Sequence, residues 1–161
     1  MIDLTDDFLR LRTGVIRHYP AGLDHPVAGT WTIQIPLEPF SAGDEFDPAT
    51  FRPGSDGPEL IETEIVLDFI ELPADELAGL SRRTFEFPTK PEDGYIDGSI
   101  YLIAAHCAVE VIRIDFGETS ADQITASLDA RFDFDSAGGI GIHNRSAVLK
   151  TVLRFEAGQP A

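Results

Sequence analysis

The side chains with the widest chemical repertoire in this 161-residue chain are four histidines, His18, His25, His106 and His143, and one cysteine, Cys107. A metal site needs ligands that the fold brings together, and no two of the histidines are spaced two or four residues apart. His106 and Cys107 are adjacent, and adjacent side chains of an extended segment point to opposite faces. A single cysteine also excludes an intrachain disulfide. We therefore expect no metal and no cofactor.

Nucleophilic catalysis would require a serine or cysteine beside a base, and the chain has no Gly-x-Ser-x-Gly motif. The run Gly138-Gly139-Ile140-Gly141 lacks the Lys-Ser/Thr of a phosphate-binding loop, so it is better interpreted as a turn. Carboxylates for glycosidase chemistry are so abundant here that their presence is uninformative. The sequence thus offers no catalytic residue, and a non-enzymatic function is favoured over an enzymatic one.

Acidic residues are the most unevenly distributed feature of the sequence. Asp and Glu number 28 against 12 Lys and Arg, for a net charge of −16, and residues 38–76 hold twelve acids against Arg52 alone. A field of this sign attracts basic partners, and it disfavours nucleic acids and anionic membranes. We predict an acidic interaction protein of the inhibitor, immunity or adaptor type. The predicted partner-binding residues are Glu38, Asp44, Glu45, Asp47, Asp56, Glu59, Glu62, Glu64 and Asp68.

Other interpretations stay open at this point. The acidity could be a solvated surface or an organism-wide composition without a partner. The chain could be a small-molecule binder or enzyme, with pocket walls drawn from Trp31, Tyr101, His106, Arg113 and Arg131. A third alternative is a structural subunit of a homo-oligomer that pairs through an exposed strand edge.

The N-terminal residues 1–7 are acidic, whereas a signal peptide needs a basic start followed by an apolar run. No apolar stretch approaches the roughly 20 residues of a membrane-spanning helix. We therefore expect a cytoplasmic protein.

The elements that position these side chains are predominantly strands. Residues 29–35 alternate in polarity with period 2, and Pro36 and Pro39 close that segment. The N-terminal 28 residues fit a short helix or an irregular arm or strand equally well. The further strands are expected at 59–72, 84–87, 99–104, 109–116, 123–135 and 145–156.

Regularly spaced strands with turns between them predict one β-rich domain over residues 1–161. We expect an antiparallel sandwich or flattened barrel with one or two short helices, one of them over 73–80. A long Pro/Gly-rich loop at 36–58 and a tail at 157–161 complete the domain. Residues 105–108 resemble a hairpin tip, and the change of phase at Val111-Ile112 predicts a β-bulge.

Overall fold

A computed structural model of the chain describes residues 8–41, 60–102, 105–137 and 143–158. The strands in these ranges are β1 (Gly14–His18), β2 (Trp31–Pro36), β3 (Phe40–Ser41), β4 (Leu60–Ile61), β5 (Glu64–Ile70), β6 (Thr84–Glu86), β7 (Asp97–Leu102), β8 (Ala105–Ser120), β9 (Gln123–Asp133) and β10 (Arg145–Ala157).

Seven of the strands close into a β-barrel in the order β8-β7-β5-β2-β1-β10-β9, with β9 returning to β8. The sixteen-residue β8 makes this closure possible because it is long enough for three neighbours. One of its edges pairs with β7 and then with β6, and its other edge pairs with β9. The prediction of a β-rich domain is confirmed, and of the two predicted architectures the structure is a barrel.

One strand pair of the barrel is parallel, which corrects the expectation of a wholly antiparallel sheet. β1 and β10 run in the same direction, with Gly14 beside Leu153 and His18 beside Ala157. A closed ring with an odd number of strands cannot alternate direction throughout, so at least one neighbouring pair must be parallel. The last four strands form an antiparallel meander, because β7, β8, β9 and β10 pair in sequence.

Alternation of polarity places the core inside the barrel. In β9, Ile124, Ala126, Leu128, Ala130 and Phe132 are buried while the residues between them face outward. The corresponding side chains of the other barrel strands fill the same interior, which includes the fully buried Trp31. The barrel therefore has a packed apolar core, and its polar chemistry lies on the outer face.

No α-helix occurs among the described residues, so the predicted short helices are wrong there. The helical segments are 3-10 turns at Leu77–Leu80 and Asp135–Ala137. The ambiguous N-terminal part contributes strand β1. The predicted tail begins too early, since Ala157 belongs to β10 and the Gly158 N–H donates to the His18 carbonyl. Residues 42–58 of the predicted long loop lie outside the residues that the structure describes.

The predicted hairpin tip at 105–108 is wrong, because these residues begin β8 and pair with β7 and β9. His106 is exposed and Cys107 buried, as adjacent residues of a strand should be. The β-bulge predicted at Val111-Ile112 is confirmed. Val111 faces Ala130 and Arg113 faces Asp129, so Ile112 is the extra residue.

Candidate partner-binding surface

Three carboxylates stand on the outer faces of the neighbouring strands β5 and β7. Glu64 and Asp68 share the outward side of β5, roughly 13 Å apart along the strand. Asp97 begins β7 and is the direct cross-strand neighbour of Asp68. Like charges placed opposite each other destabilise a sheet, so a surface optimised only for stability would not keep this pair. We call Glu64, Asp68 and Asp97 the acidic face.

Asp68 is the least solvated member of the acidic face. Burial raises the pKa of the Asp68 carboxyl, and the negative charge of Asp97 raises this pKa further. A hydrogen bond that the Thr32 hydroxyl donates to Asp68, at 3.3 Å, lowers it and offsets part of the rise. Thr32 is only 4% exposed, so it holds this carboxylate in one orientation. Asp68 is therefore fixed in place but weakly stabilised as an anion.

An irregularity in β5 presents an aromatic ring next to Asp68. The pairing of β2 with β5 shifts register between Trp31 and Ile33, and Phe69 takes the left-handed conformation with φ of 58°. This conformation is rare for a bulky side chain. Strict alternation would bury Phe69 with Leu67, yet Phe69 is 39% exposed and Ile70 is buried in its place. The bulge thus brings an apolar ring to the surface beside the acidic face.

Several carboxylates on the outer faces of β8, β10 and the adjoining segments are neutralised by arginines. Arg113 contacts Asp115 at 3.1 Å, and the hydrogen bond from this arginine lowers the pKa of the Asp115 carboxyl. Other close pairs of these strands and of β1 include Arg131–Glu110 at 3.5 Å, Arg82–Glu118 at 2.9 Å, Arg17–Glu156 at 2.8 Å and Arg154–Glu156 at 2.6 Å. Opposite charges cancel locally on these strands, so little field extends from them.

The acidic face has no such neutralisation. Within residues 8–41, 60–102, 105–137 and 143–158, none of Glu64, Asp68 and Asp97 forms an ion pair. More exposed acids follow β5 in the chain, namely Glu71, Asp75 and Glu76. Of these, Asp75 lies 3.6 Å from the Nε2 atom of His18. The uncompensated negative charge of the described surface is therefore centred on β5, β7 and the segment after β5.

The predicted partner-binding residues divide into three groups in the structure. Glu64 and Asp68 lie in β5, and Glu62 lies between β4 and β5. Glu38 instead follows β2 and faces Arg12 at 3.8 Å, so its charge is partly compensated. The remaining five, Asp44, Glu45, Asp47, Asp56 and Glu59, lie outside the described residues.

The predicted pocket residues do not converge on one pocket. Trp31 is fully buried, and its indole N–H donates to the Ala74 carbonyl at 2.9 Å. Tyr101 and His106 are cross-strand neighbours with ring centroids 5.2 Å apart on the outer face. Arg113 and Arg131 lie further along β8 and β9 and are ion-paired. Trp31 thus stabilises the core while the other four lie outside the barrel.

Two open grooves run along the outer face of β8, β9 and β10. The larger, of about 490 Å³, is bordered by Glu110, Arg131, Asp133 and Asn144. The smaller, of about 320 Å³, adjoins it at Arg131 and is lined by Ile112, Ala147 and Val148 among others. Both are wide, open depressions of the surface.

Asp97 and Phe69 are the two site residues that sequence analysis missed. Asp97 falls outside the acidic segment 38–76 and joins Asp68 only because β7 pairs with β5. Phe69 fits the apolar alternation of Ile65 and Leu67, so the pattern predicts a core residue. The weak preference of phenylalanine for a left-handed conformation gives no local indication of the bulge.

The described residues contain no group of three or more His, Cys, Asp or Glu side chains that could hold a metal ion. Within the same ranges, no helix has the length and apolarity needed to cross a bilayer. No protein-family model, curated protein or solved structure matches the chain.

Because the Asp68 and Asp97 carboxylates face each other, we predict that the stability gained by Asp97→Asn depends on pH. Because the pKa of Asp68 is raised on folding, ionised Asp68 weakens the native state, and this penalty disappears as pH falls through the raised pKa. Removing the Asp97 charge should therefore increase the free energy of unfolding at pH 7 by about 0.2–1 kcal/mol. The gain over wild type should shrink toward zero near pH 4. Denaturant unfolding of wild type and variant at pH 7 and at pH 4 measures this gain.

Asp129→Asn is the matched control for this experiment. Asp129 also faces outward from a strand, but its cross-strand neighbour is Arg113, whose pKa it raises. Its removal should leave stability at pH 7 unchanged or slightly lower. An equal increase in both variants would mean that only overall charge matters, and it would contradict a specific repulsion between Asp68 and Asp97.

Proposed function

We propose that this chain is a non-enzymatic binding protein whose acidic face receives a basic segment of a protein partner, as inhibitor, immunity and adaptor proteins do. The observation that carries the proposal is that two groups of carboxylates differ in whether a cation neutralises them. Glu64, Asp68 and Asp97 form no ion pair in the described part of the chain, whereas Glu110, Asp115 and Glu156 on β8 and β10 each contact an arginine. A basic partner therefore gains electrostatic energy by neutralising Glu64, Asp68 and Asp97. It gains little from carboxylates that arginines already neutralise.

A bound guanidinium or ammonium group would relieve the repulsion between Asp68 and Asp97. Charge-assisted hydrogen bonds to carboxylates are stronger than neutral ones, and Arg can make two in parallel. Phe69 adds a ring face on which a guanidinium can stack. Electrostatic complementarity of this kind accelerates association and excludes acidic partners. These features favour arginine-bearing partners over lysine-bearing ones.

The proposal is tested with two triple variants of equal net charge. The first, Glu64→Gln/Asp68→Asn/Asp97→Asn, removes the acidic face. The control, Asp115→Asn/Glu118→Gln/Asp129→Asn, removes three carboxylates from parts of β8 and β9 that do not pair with β7. Binding of a fluorescent arginine-rich peptide is measured by anisotropy at low and high salt. We expect wild type and the control to agree within about twofold, and the first variant to bind about tenfold more weakly.

A second arm uses the three proteins as baits in a cell lysate at low salt. The proposal expects basic proteins that wild type and the control retain and the acidic-face variant loses. Equal weakening of both variants toward the peptide would show attraction by net charge alone. That result, or identical retention by all three baits, would overturn the proposal.

In the part of the chain that the structure describes, the grooves beside β9 are candidate sites for the small-molecule alternative. Arg131 and Ser146 border both depressions, so a polar ligand could contact them from either side. Both grooves are open, however, and a typical ligand site encloses most of its ligand. The acidic face is therefore the better-supported binding surface.

A further inference from the structure

A second row of outward side chains crosses β5 and β7 at some distance from the pair of Asp68 and Asp97. The antiparallel register of β5 with β7, continued by one residue, places Glu64 beside Tyr101. Tyr101 in turn pairs with His106 of β8. Both rows face outward, and the four residues between them span roughly 13 Å along each strand. The outer face of these strands therefore has two separate ends.

Each end carries an exposed aromatic ring beside its carboxylates. At the first end the ring is Phe69, which follows Asp68 in the bulge of β5. At the second end it is Tyr101, which is 60% exposed. The His106 ring packs against Tyr101 at an interplanar angle of 72°, so it restricts the rotation of the tyrosine. The two ends thus offer a cation the same pair of groups, a carboxylate and a ring face.

The surface between the two ends is uncharged and low. Its outward side chains are those of Val66, Ser99 and Ala108, which are direct cross-strand neighbours on β5, β7 and β8. None of the three is larger than valine, whereas the rows on either side carry longer or aromatic side chains. A chain that crosses this surface along the strand direction therefore meets no steric obstacle between the two ends.

We propose that the acidic face binds an extended segment of the partner in which two arginines lie four residues apart. The first arginine contacts Asp68 and Asp97 beside the ring of Phe69. The second contacts Glu64 beside the ring of Tyr101. This inference rests on the proposed function, and it adds the spacing of charges that the partner must present.

An extended chain fits because its repeat equals that of the strands beneath it. Side chains on one side of an extended segment recur every two residues, roughly 7 Å apart. With the two arginines over the two ends, the residue midway between them lies over Val66 and Ser99, where there is room for a small side chain. An α-helix rises about 1.5 Å per residue, so residues on one of its faces recur near 6 and 10 Å and match the two ends less well.

Arginine suits both ends better than lysine does. A guanidinium group can donate two parallel hydrogen bonds to a carboxylate, and its plane can stack on an aromatic ring. An ammonium group is a compact point charge without such a plane. Since each end offers a carboxylate and a ring together, arginine can use both groups at once.

Three peptides of identical composition test the spacing. Each contains two arginines among serine and alanine residues, placed two, three or four positions apart. Two positions leave the second arginine roughly 7 Å short of its end, and three positions put it on the other side of an extended chain. Nuclear magnetic resonance titration of ¹⁵N-labelled wild type measures each affinity. We expect the four-position peptide to bind about fivefold more tightly than the other two.

The variant Tyr101→Ser identifies the second end. It should bind all three peptides with similar affinity, because only the four-position peptide reaches this ring. Tyr101→Phe keeps the ring and should keep the preference for the four-position peptide. Val148→Ser is the matched control, since it truncates another exposed side chain, on β10, and should also keep the preference. Far-ultraviolet circular dichroism checks that each variant is folded.

The outcomes separate this inference from the proposed function. Equal affinity of wild type for the three peptides, or a preference that survives Tyr101→Ser, would overturn the inference and leave the proposed function standing. The variant Glu64→Gln/Asp68→Asn/Asp97→Asn tests the proposed function itself. If that variant bound the four-position peptide as tightly as wild type does, the proposed function would fail and the inference with it.

Discussion

Replacement of Trp31 by alanine should lower the free energy of unfolding by about 3–5 kcal/mol. Trp31 is the single tryptophan and is fully buried at the start of β2. Its ring packs against His18, with centroids 4.8 Å apart, and against Phe155 at 6.2 Å. Alanine leaves a cavity among these groups, and the cost grows with the part of that cavity that cannot collapse. A loss this large is a substantial fraction of the stability of a small domain.

The variant Trp31→Phe separates the energetic cost of the cavity from the cost of the lost hydrogen bond. The indole N–H donates to the Ala74 carbonyl and so attaches the segment between β5 and β6 to the barrel end. Phenylalanine keeps most of the buried ring but leaves that carbonyl without its donor, for an expected loss of about 1–3 kcal/mol. Denaturant unfolding followed by far-ultraviolet circular dichroism compares all three proteins, since both variants lack the fluorophore. Equal losses in the two variants would contradict the cavity argument.

Gly98→Ala should be almost as damaging, at about 3 kcal/mol, although it adds only one methyl group. Gly98 lies in β7 between Leu67 of β5 and Val109 of β8. An alanine Cβ would overlap the Val109 carbonyl oxygen and lie 2.9 Å from a methyl carbon of Leu67. The oxygen belongs to a backbone that β9 and β7 hold in register, so it cannot move aside cheaply. Relief would require β7 and β8 to separate.

Gly22→Ala is the matched control, because nothing lies within 4 Å of a Cβ built at Gly22. This substitution should change the unfolding free energy by no more than about 0.5 kcal/mol. Both glycine variants are measured by thermal and denaturant unfolding. If Gly98→Ala unfolded like wild type, β7 would lie further from β8 than the structure places it.

The core and the proposed binding surface make opposite demands on the same two strands, β5 and β7. β5 and β7 need Gly98 and Leu67 in close contact inside the barrel, which brings Asp68 and Asp97 together outside it. The repulsion between those carboxylates is thus a consequence of tight packing on the inner side. A stabilising Asp97→Asn that also weakens binding of the basic peptide would illustrate the usual conflict between stability and function.

Much of the secondary structure was predictable because it depends on local alternation. Trp31, Ile33 and Ile35 predicted a strand with one buried face, and all three are buried in β2. The change of phase at Val111-Ile112 predicted the bulge for the same reason, since one extra residue reverses the side on which later residues point. The 3-10 turn at Leu77–Leu80 lies where a helical segment was expected, but it is too short for an α-helix.

The candidate site was predictable only in part. The sequence located Glu62, Glu64 and Asp68 through the density of acids around them. It gave no means of knowing that Asp97 would lie opposite Asp68, because they are brought together by strand pairing over a long sequence separation. Trp31 illustrates a second limit of the sequence, because tryptophan is suited both to a pocket wall and to a core. Only its burial in the structure shows that it belongs to the core.

By itself, the sequence determined that this is a β-rich chain with its negative charge concentrated near the middle, because period-2 patterning and composition are local properties. The tertiary structure decided that the strands close into a barrel, and therefore which acids face each other and which acquire arginines. Closure and cross-strand charge pairing both depend on which distant strands become neighbours, and that choice is made by packing of the whole core.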